Sequence, residues 1–367
     1  MIHYLIVHCI PNFKATPLRL IDYVTFRAGA AAFTALLLVL LLGPLTVRML
    51  KNFTSPVRYK EYVNTDGGTV QLKEKTPTMG GLLIVASVLI AMLLWSNLTN
   101  LLSLVFLGAM SAFMLLGFVD DYKKVKLKDK DGISAKTKFF LQILITLLAL
   151  GAFCCIPETA RYMREFCLPF FKNPLWIMPL GIALAFEALV VVGASNAVNL
   201  TDGKDGLAVG CTIFCTLTYA AIAYMSGHKV FADYLSLNFM ESAGEVGVFA
   251  VCIAGSCIGF LWYNCNPASM FMGDTGSLAL GGCIGLIAVL VKQELLLLIV
   301  GWVFVMEAGS VMLQVLSFKL TGKRIFLCAP IHHHFEKKGW PETQIVVRFW
   351  IIAGICALIG LATLKLR

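Results

Sequence analysis

Long uncharged apolar runs, separated by short polar segments, dominate the chain. Most of these runs are close to the roughly 20 residues that an α-helix needs to cross the hydrocarbon core of a bilayer. The range 76–119 contains no charged residue and is too long for one span, so we divide it at the polar segment 95–100. The pattern therefore predicts ten transmembrane helices, at 28–47, two within 76–119, and 139–156, 174–198, 207–226, 246–263, 275–291, 295–317 and 345–364. The strands of a β-barrel would be about ten residues long and alternate in polarity, so we expect an all-α polytopic membrane protein.

The amino-acid composition excludes a soluble globule. Hydrophobic residues make up 59% of the 367 residues and charged residues 14%, against about 45–50% and about 25% in a typical soluble domain. The mean hydropathy is +0.82, which also excludes an intrinsically disordered chain. We expect one integral membrane domain over residues 28–367. An N-terminal periplasmic or interfacial segment over residues 1–27 precedes it, because its apolar stretch 2–10 is too short to span a bilayer.

The distribution of charge predicts the orientation in the membrane. Twenty of the 30 Lys and Arg residues lie on one alternating set of loops, which the positive-inside rule makes cytoplasmic. With ten spans, both termini are then periplasmic. The net charge of +9 is thereby explained without a nucleic-acid partner, and we expect none. Eight of the ten Asp residues lie on the same loops. Because Asp follows the positive-inside rule only weakly, this excess indicates a polar site at the cytoplasmic face.

Two acidic clusters lie at this predicted cytoplasmic boundary. Asp120 and Asp121 end the third span, and adjacent carboxylates repel each other unless a cation or a proton compensates. A Mg²⁺ or phosphate site is one reading, and an ordinary helix end is the other. The lysine-rich run 123–130 is interpreted as a solvated loop. The turn 196–206 joins two spans and carries Asn199, Asp202 and Asp205, oxygen donors of the kind that bind Mg²⁺ or a polar ligand.

Three further segments carry candidate chemistry. Gly273 and Asp274 open the eighth span, where free backbone N–H groups favour a phosphate, and Phe271 either stacks on a base or packs. The histidines 332–334 are disfavoured as a joint zinc site, because neighbouring side chains on a helix point apart. Phosphate contact or proton transfer by one of them is preferred. The segment 73–81 is a third candidate or a simple helix start. Glu187 and Glu307 lie within spans, where carboxylates are functional or structurally paired, and we place neither in the core site.

Taken together, these motifs resemble those of the phospho-N-acetylmuramoyl-pentapeptide-transferase family, the MraY family. That family belongs to the polyprenyl-phosphate N-acetylhexosamine-1-phosphate transferases. The resemblance extends from about Arg48 to the C-terminus, in the motifs TPTMGG (76–81), the pair Asp120–Asp121, NAVNLTDG (196–203), FMGDTGS (271–277) and PIHHHFE (330–336). The last motif favours the muramoyl-pentapeptide branch over the N-acetylglucosamine branch. The family usually has Gly at the position of Lys75, Leu at that of Lys204, and a His near Val70.

The resemblance implies a reaction and a site. Phospho-MurNAc-pentapeptide would pass from UDP-MurNAc-pentapeptide to undecaprenyl phosphate, giving lipid I and UMP, with Mg²⁺ as cofactor. A ten-helix homodimer in the bacterial cytoplasmic membrane is implied as well. The implied catalytic residues are Asp120 (base or nucleophile), Asp121, Asp274 and His332, with Asp274 and Asp121 at the metal. The implied substrate-binding residues are Lys73, Thr78, Asn199, Asp202, Asp205, Asn264, Phe271, Gly273, His333 and His334, of which Asp205 and Phe271 contact the uracil.

Two other functions remain as alternatives. A transporter would place polar groups near the middle of the membrane and often contains repeated halves, whereas here most polar groups gather at one face. A transferase that uses UDP-N-acetylglucosamine would share the phosphate chemistry and differ in its sugar. Exchange of one phosphoanhydride for another is nearly balanced in energy, so the absence of an ATP-binding motif is consistent with either transferase.

Overall fold

The computed structural model describes residues 16–53, 76–127 and 132–366, together with residues 2, 5, 6 and 10. In the described part of the chain we label the ten long helices α1 to α10. They are α1 (Val24–Phe53), α2 (Gly81–Trp95), α3 (Leu101–Lys126), α4 (Ala135–Cys155), α5 (Leu180–Thr201), α6 (Leu207–Ser226), α7 (Ala243–Asn264), α8 (Asp274–Leu290), α9 (Trp302–Thr321) and α10 (Glu342–Thr363). Eight of them are long and apolar enough to cross a membrane, whereas α2 and α8 are shorter apolar helices. The predicted all-α architecture is confirmed.

The helix boundaries follow local sequence signals. The division of the range 76–119 is confirmed, because α2 ends at Trp95 and the side chain of Asn100 caps α3 by accepting a hydrogen bond from the N–H of Leu102 at 2.9 Å. The predicted span 295–317 is interrupted instead of continuous. Gly301 separates a short helix, Leu297–Val300, from α9, and glycine is a poor helix former.

Smaller elements connect the long helices. They are a 3₁₀ helix (Pro17–Asp22), the short helices Pro157–Ala160, Lys229–Leu235 and Ile331–Lys337, and the two-stranded antiparallel hairpin β1 (Glu165–Phe166) and β2 (Trp176–Ile177). The helix Ile331–Lys337 carries the three histidines and lies in the connection between α9 and α10. We call it the histidine helix.

Helix α8 forms the centre of the bundle, since every residue after its first is buried. It packs against α3 and α5, whereas α7 packs against α1 and α6. Small residues permit the close approaches, as is common between helices in membranes. A Cβ on Gly281 of α8 would meet the backbone of Ala194 and Ser195, and one on Gly81 would collide with the backbone of Gly276.

Two buried glutamates inside the bundle are paired with a buried lysine. The carboxylate of Glu187 lies 2.9 Å from Nζ of Lys292, which also contacts Glu294 at 2.6 Å, so the structural reading of Glu187 is supported. Cys211, Cys215, Cys252 and Cys283 are buried thiols without disulfides, as expected for cysteines that act as small apolar residues.

Four chain connections, those that follow α3, α5, α7 and α9, meet at one end of the bundle. The C-terminal ends of α3, α5, α7 and α9 lie there together with the N-terminal ends of the helices that follow each of them. Contacts between Asp121 and Asp274, between Lys204 and Glu336 and between Gly206 and Asn264 join these connections. The candidate site lies at this end.

Candidate active site

The acidic residues of α3 and α8 come together because the two helices approach closely. A Cβ on Gly117 of α3 would collide with the carbonyl oxygen of Asp274, the first residue of α8. Asp120 and Asp121, one turn after Gly117, therefore lie beside the N-terminus of α8. The structure thus brings the Asp120–Asp121 pair and Asp274 together at one place.

Asp274 is the most connected side chain of this cluster. Its Oδ2 accepts hydrogen bonds from Nζ of Lys124 at 2.9 Å and of Lys138 at 2.8 Å, while Oδ1 accepts one from Nδ2 of Asn199 at 2.7 Å. The same amide also donates to Oγ of Ser277 at 2.8 Å. Residues from α3, α4, α5 and α8 therefore converge on one carboxylate.

Asp120 is almost fully buried and its carboxylate is fully engaged. Oδ1 accepts from the backbone N–H of Ile133 at 2.7 Å, and Oδ2 lies 2.7 Å from Nζ of Lys124 and 3.3 Å from Nζ of Lys138. The interpretation of the run 123–130 as a solvated loop is wrong for Lys124, which bridges two site carboxylates. Residues 128–130 of that run lie outside the described residues.

Lys138 is a site residue that sequence reasoning missed. It lies one turn before Gln142 of α4, whose amide donates to Oγ of Ser195 in α5 at 3.2 Å, and this hydroxyl donates to the carbonyl of Leu278 in α8 at 3.1 Å. Hydrogen bonds of this kind join helices within membranes. They hold α4 where Lys138 reaches both Asp120 and Asp274.

Asp121 binds the first turn of α8. Its oxygens accept from the backbone N–H of Asp274 at 3.2 Å and from the N–H and hydroxyl of Thr275 at 2.9 and 2.6 Å. Gly273 precedes this turn with φ 74° and ψ 178°, a conformation that is essentially restricted to glycine. A Cβ there would lie 2.7 Å from Oδ2 of Asp121 and 2.8 Å from Oγ1 of Thr78. Thr78 and Gly273 thus border the carboxylates.

The connection between α5 and α6 lies beside the same carboxylates. Burial, together with the nearby negative charges of Asp274 and Asp121, raises the pKa of Asp202 well above its usual value. Oδ2 of Asp205 accepts from Nδ2 of Asn266 at 3.0 Å and from the N–H of Ala268 at 3.1 Å. The loop 265–272 between α7 and α8 is therefore tied directly to this turn.

The loop 265–272 is held from both sides. Asn264 is buried, donates to the carbonyl of Met270 at 3.0 Å and accepts from the N–H of Gly206 at 3.1 Å. Phe271 pairs through its backbone with Pro77 and Gly80, at 2.8 Å in each case, and its side chain is partly exposed. Lys73, implied as a substrate ligand, lies outside the described residues.

The three histidines point to three different partners. Nδ1 of His332 lies 3.0 Å from Oε2 of Glu307, and both side chains are buried. Nδ1 of His333 lies 2.9 Å from Oε2 of Glu336, whereas Nδ1 of His334 accepts from the N–H of Leu327 at 3.1 Å. Glu307, which the sequence does not place in the core site, therefore contacts a histidine that the resemblance assigns to the site.

The cluster suits a cation held jointly with a substrate. Among the described residues, no three Asp, Glu, His or Cys side chains form a complete metal-binding group. Mg²⁺, however, is commonly bound by one or two carboxylates together with substrate phosphates and water. Asp274, whose side chain is 17% exposed, and the adjacent Asp121 supply hard oxygen donors of this kind. The donor set therefore fits Mg²⁺ when phosphate oxygens complete the coordination.

Comparison with known proteins gives concordant matches. Residues 103–292 match the model of glycosyl transferase family 4, and residues 73–85 match the phospho-N-acetylmuramoyl-pentapeptide-transferase signature 1. Proteins named phospho-N-acetylmuramoyl-pentapeptide-transferase are similar over nearly the whole length. That of Koribacter versatilis is 46% identical, with 96% of each chain covered, and that of Pelagibacter ubique is 46% identical, with 100% of each chain covered. That of Neisseria meningitidis is 48% identical, with 96% of this chain and 97% of the relative covered.

Proposed function

The chain belongs to the phospho-N-acetylmuramoyl-pentapeptide-transferase family, and from this membership we infer its reaction. It transfers phospho-MurNAc-pentapeptide from UDP-MurNAc-pentapeptide to undecaprenyl phosphate and produces lipid I and UMP, a membrane step of peptidoglycan synthesis. The protein is a multi-pass protein of the bacterial membrane.

One observation carries the assignment of the active site. Lys124 and Lys138 both contact Asp274 and Asp120, at the point where Asn199 also binds Asp274. Two ammonium groups beside clustered carboxylates suit a reaction between two phosphorylated substrates, whose negative charges must be neutralised and aligned. We place the reacting phosphates at this cluster.

The bonds that change are those of a phosphoanhydride exchange. An oxygen of the lipid phosphate attacks the β-phosphorus of the nucleotide sugar, the bond from this phosphorus to the bridging oxygen breaks, and UMP leaves with the electron pair. Lys124 and Lys138 reduce the repulsion between the two anions. Mg²⁺, bound by Asp274 with Asp121 beside it, would add positive charge at the diphosphate.

Asp120 supports direct attack rather than a covalent intermediate. A phosphate monoester has its second pKa near 6 and is largely dianionic at neutral pH, so it needs little help from a base. The carboxylate of Asp120 is buried and engaged by Ile133, Lys124 and Lys138, an arrangement typical of a group that positions lysines. Incubation with UDP-MurNAc-pentapeptide alone should leave the intact mass of the protein unchanged. A phospho-sugar adduct on Asp120 would replace this mechanism with a two-step route.

The remaining site residues are assigned to the nucleotide sugar. Asp205 and Phe271 are proposed at the uracil, because both belong to connections that meet at the edge of the site. The other proposed ligands are Lys73, Thr78, Asn199, Asp202, Asn264, Gly273, His332, His333 and His334. In this proposal all ten long helices span the cytoplasmic membrane, both termini are periplasmic, the site faces the cytoplasm, and the protein forms homodimers.

The test is an assay for UMP with purified protein or membranes, undecaprenyl phosphate and Mg²⁺. Release of UMP from UDP-MurNAc-pentapeptide is expected, with little release from UDP-N-acetylglucosamine. The opposite preference would assign the chain to the N-acetylglucosamine branch. Omission of undecaprenyl phosphate should abolish release, which separates transfer from simple hydrolysis.

A further inference from the structure

Lys204 connects the turn between α5 and α6 to the histidine helix. Its Nζ lies 2.7 Å from Oε1 of Glu336, and its side chain is only 1% exposed. The other oxygen of the same carboxylate, Oε2, lies 2.9 Å from Nδ1 of His333. A lysine, a glutamate and a histidine therefore form a continuous chain of contacts across two connections of the site.

The charges in this chain have a defined effect on His333. A carboxylate alone beside an imidazole favours the protonated, cationic ring. Lys204 balances that carboxylate, and burial together with the nearby His332 and Lys204 lowers the pKa of His333 despite its hydrogen bond to Glu336. Although burial opposes it, the hydrogen bonds from Lys204 and His333 lower the pKa of Glu336. Two further titratable groups lie near this chain of contacts. Glu307 of α9 contacts His332, and Asp205 follows Lys204 in the turn.

His333 differs from its two neighbours in what it offers a substrate. Nε2 of His332 is buried and faces Gly203, on which a Cβ would lie 2.5 Å away. Nδ1 of His334 already accepts a hydrogen bond from Leu327. The side chain of His333 is 36% exposed, and a neutral ring that donates from Nδ1 to Glu336 keeps the lone pair of Nε2 for another partner.

We propose that Lys204 is a positioning residue, which through Glu336 holds His333 as a neutral imidazole whose Nε2 accepts a hydrogen bond from a hydroxyl or amide N–H group of the nucleotide-sugar substrate. The proposal rests on the transferase function inferred above. It assigns a role to Lys204, at whose position the family resemblance leads us to expect Leu, and it distinguishes His333 from the other two histidines.

The test is the pH profile of kcat/KM for UMP release by the full-length protein and its variants. Loss of the cation in Lys204→Met favours protonated His333, so the acid limb should move to higher pH by about 1 unit. Loss of the carboxylate in Glu336→Gln should move it to lower pH. The double variant should return close to the parent pH profile. Lys204→Arg retains the positive charge and should show the parent pH profile. Lys337→Met removes an exposed lysine of the same short helix and serves as the matched control.

Each outcome decides the proposal. Shifts of opposite sign in the two single variants support it, because a purely structural contact would lower kcat without moving the limb. An unmoved limb in active Lys204→Met protein overturns it. If that variant does not accumulate, Glu336→Gln must still show the downward shift, and its absence overturns the proposal as well. A parent protein that releases no UMP overturns the inferred reaction itself, a result distinct from an active parent whose variants keep its profile.

Discussion

Asp121 binds Thr275 twice through one oxygen. Oδ2 accepts the backbone N–H of Thr275 at 2.9 Å and its hydroxyl at 2.6 Å. A carboxylate from α3 thereby satisfies N–H groups in the first turn of α8, where a negative charge is also favoured by the helix dipole. Because Asp274 is the first residue of that turn, Asp121 orients the carboxylate on which the site is centred.

Removal of the Thr275 hydroxyl should therefore weaken both stability and activity. Thr275→Val keeps the shape of the side chain but loses a hydrogen bond to a charged group, which contributes about 1.5–3 kcal/mol. We expect a lower midpoint of thermal unfolding in detergent and a reduced kcat. Thr218→Val in α6 is the control, because that hydroxyl donates to the carbonyl of Phe214 within its own helix. An equal loss in both variants would contradict the special role of the Asp121–Thr275 contact.

Asp274→Asn should abolish transfer and leave the fold intact. The substitution retains the size of the side chain but removes the charge that pairs with Lys124 and Lys138 and that we assign to Mg²⁺. A loss of at least about 10²-fold in kcat is expected, as for other preorganised electrostatic groups. Size-exclusion chromatography and thermal unfolding should match the parent. Asp233→Asn, at an exposed position, should keep full activity. Substantial turnover by Asp274→Asn would remove Asp274 from the site.

Lys138→Met should impair the reaction although the sequence did not single out this residue. The variant leaves Asp120 and Asp274 with one ammonium group instead of two, so the anionic reactants are less well neutralised. We expect a drop in kcat/KM of about 10²-fold or more. Lys136→Met alters an exposed lysine two residues earlier and should behave like the parent. Equal activities of the two variants would show that the contacts of Lys138 are dispensable.

The contrast between Asp274 and Lys138 shows which features were readable from the sequence. The length of an apolar run is enough to indicate a membrane helix, so the helices were predictable. Carboxylates and amides near the membrane are rare, so Asp274 was a candidate from the sequence alone. A lysine in a basic loop has the ordinary signature of a cytoplasmic segment. Its approach to Asp120 depends on how α4 packs on α5 and α8, which no local pattern specifies.

Glu307 was visible in the sequence but its partner was not. A carboxylate within an apolar run is a functional candidate, yet its pairing with His332, 25 residues further along the chain, requires the histidine helix to fold back onto α9. Lys204 was equally visible in the sequence, and its bond to Glu336 likewise depends on two connections meeting in space. The spacing of motifs therefore identified the participants, and tertiary packing determined the pairs.

Gly117 offers the strictest test of the geometry. A single methyl group at this position should push Asp120 and Asp121 of α3 away from Asp274 of α8. In Gly117→Ala the new Cβ would collide with the carbonyl of Asp274, which is backbone and cannot rotate away. Overpacking of this kind costs about 1–3 kcal/mol, and a displacement of about 1 Å of reacting groups can lower the rate by about 10²-fold. Gly108→Ala in the same helix meets nothing within 4 Å and should be neutral or slightly stabilising, since Ala favours helix over Gly by up to about 1 kcal/mol. Thermal unfolding and UMP release of the pair, measured side by side, check the prediction. If Gly117→Ala retained parental activity, the contact between α3 and α8 would not set the positions of Asp120, Asp121 and Asp274.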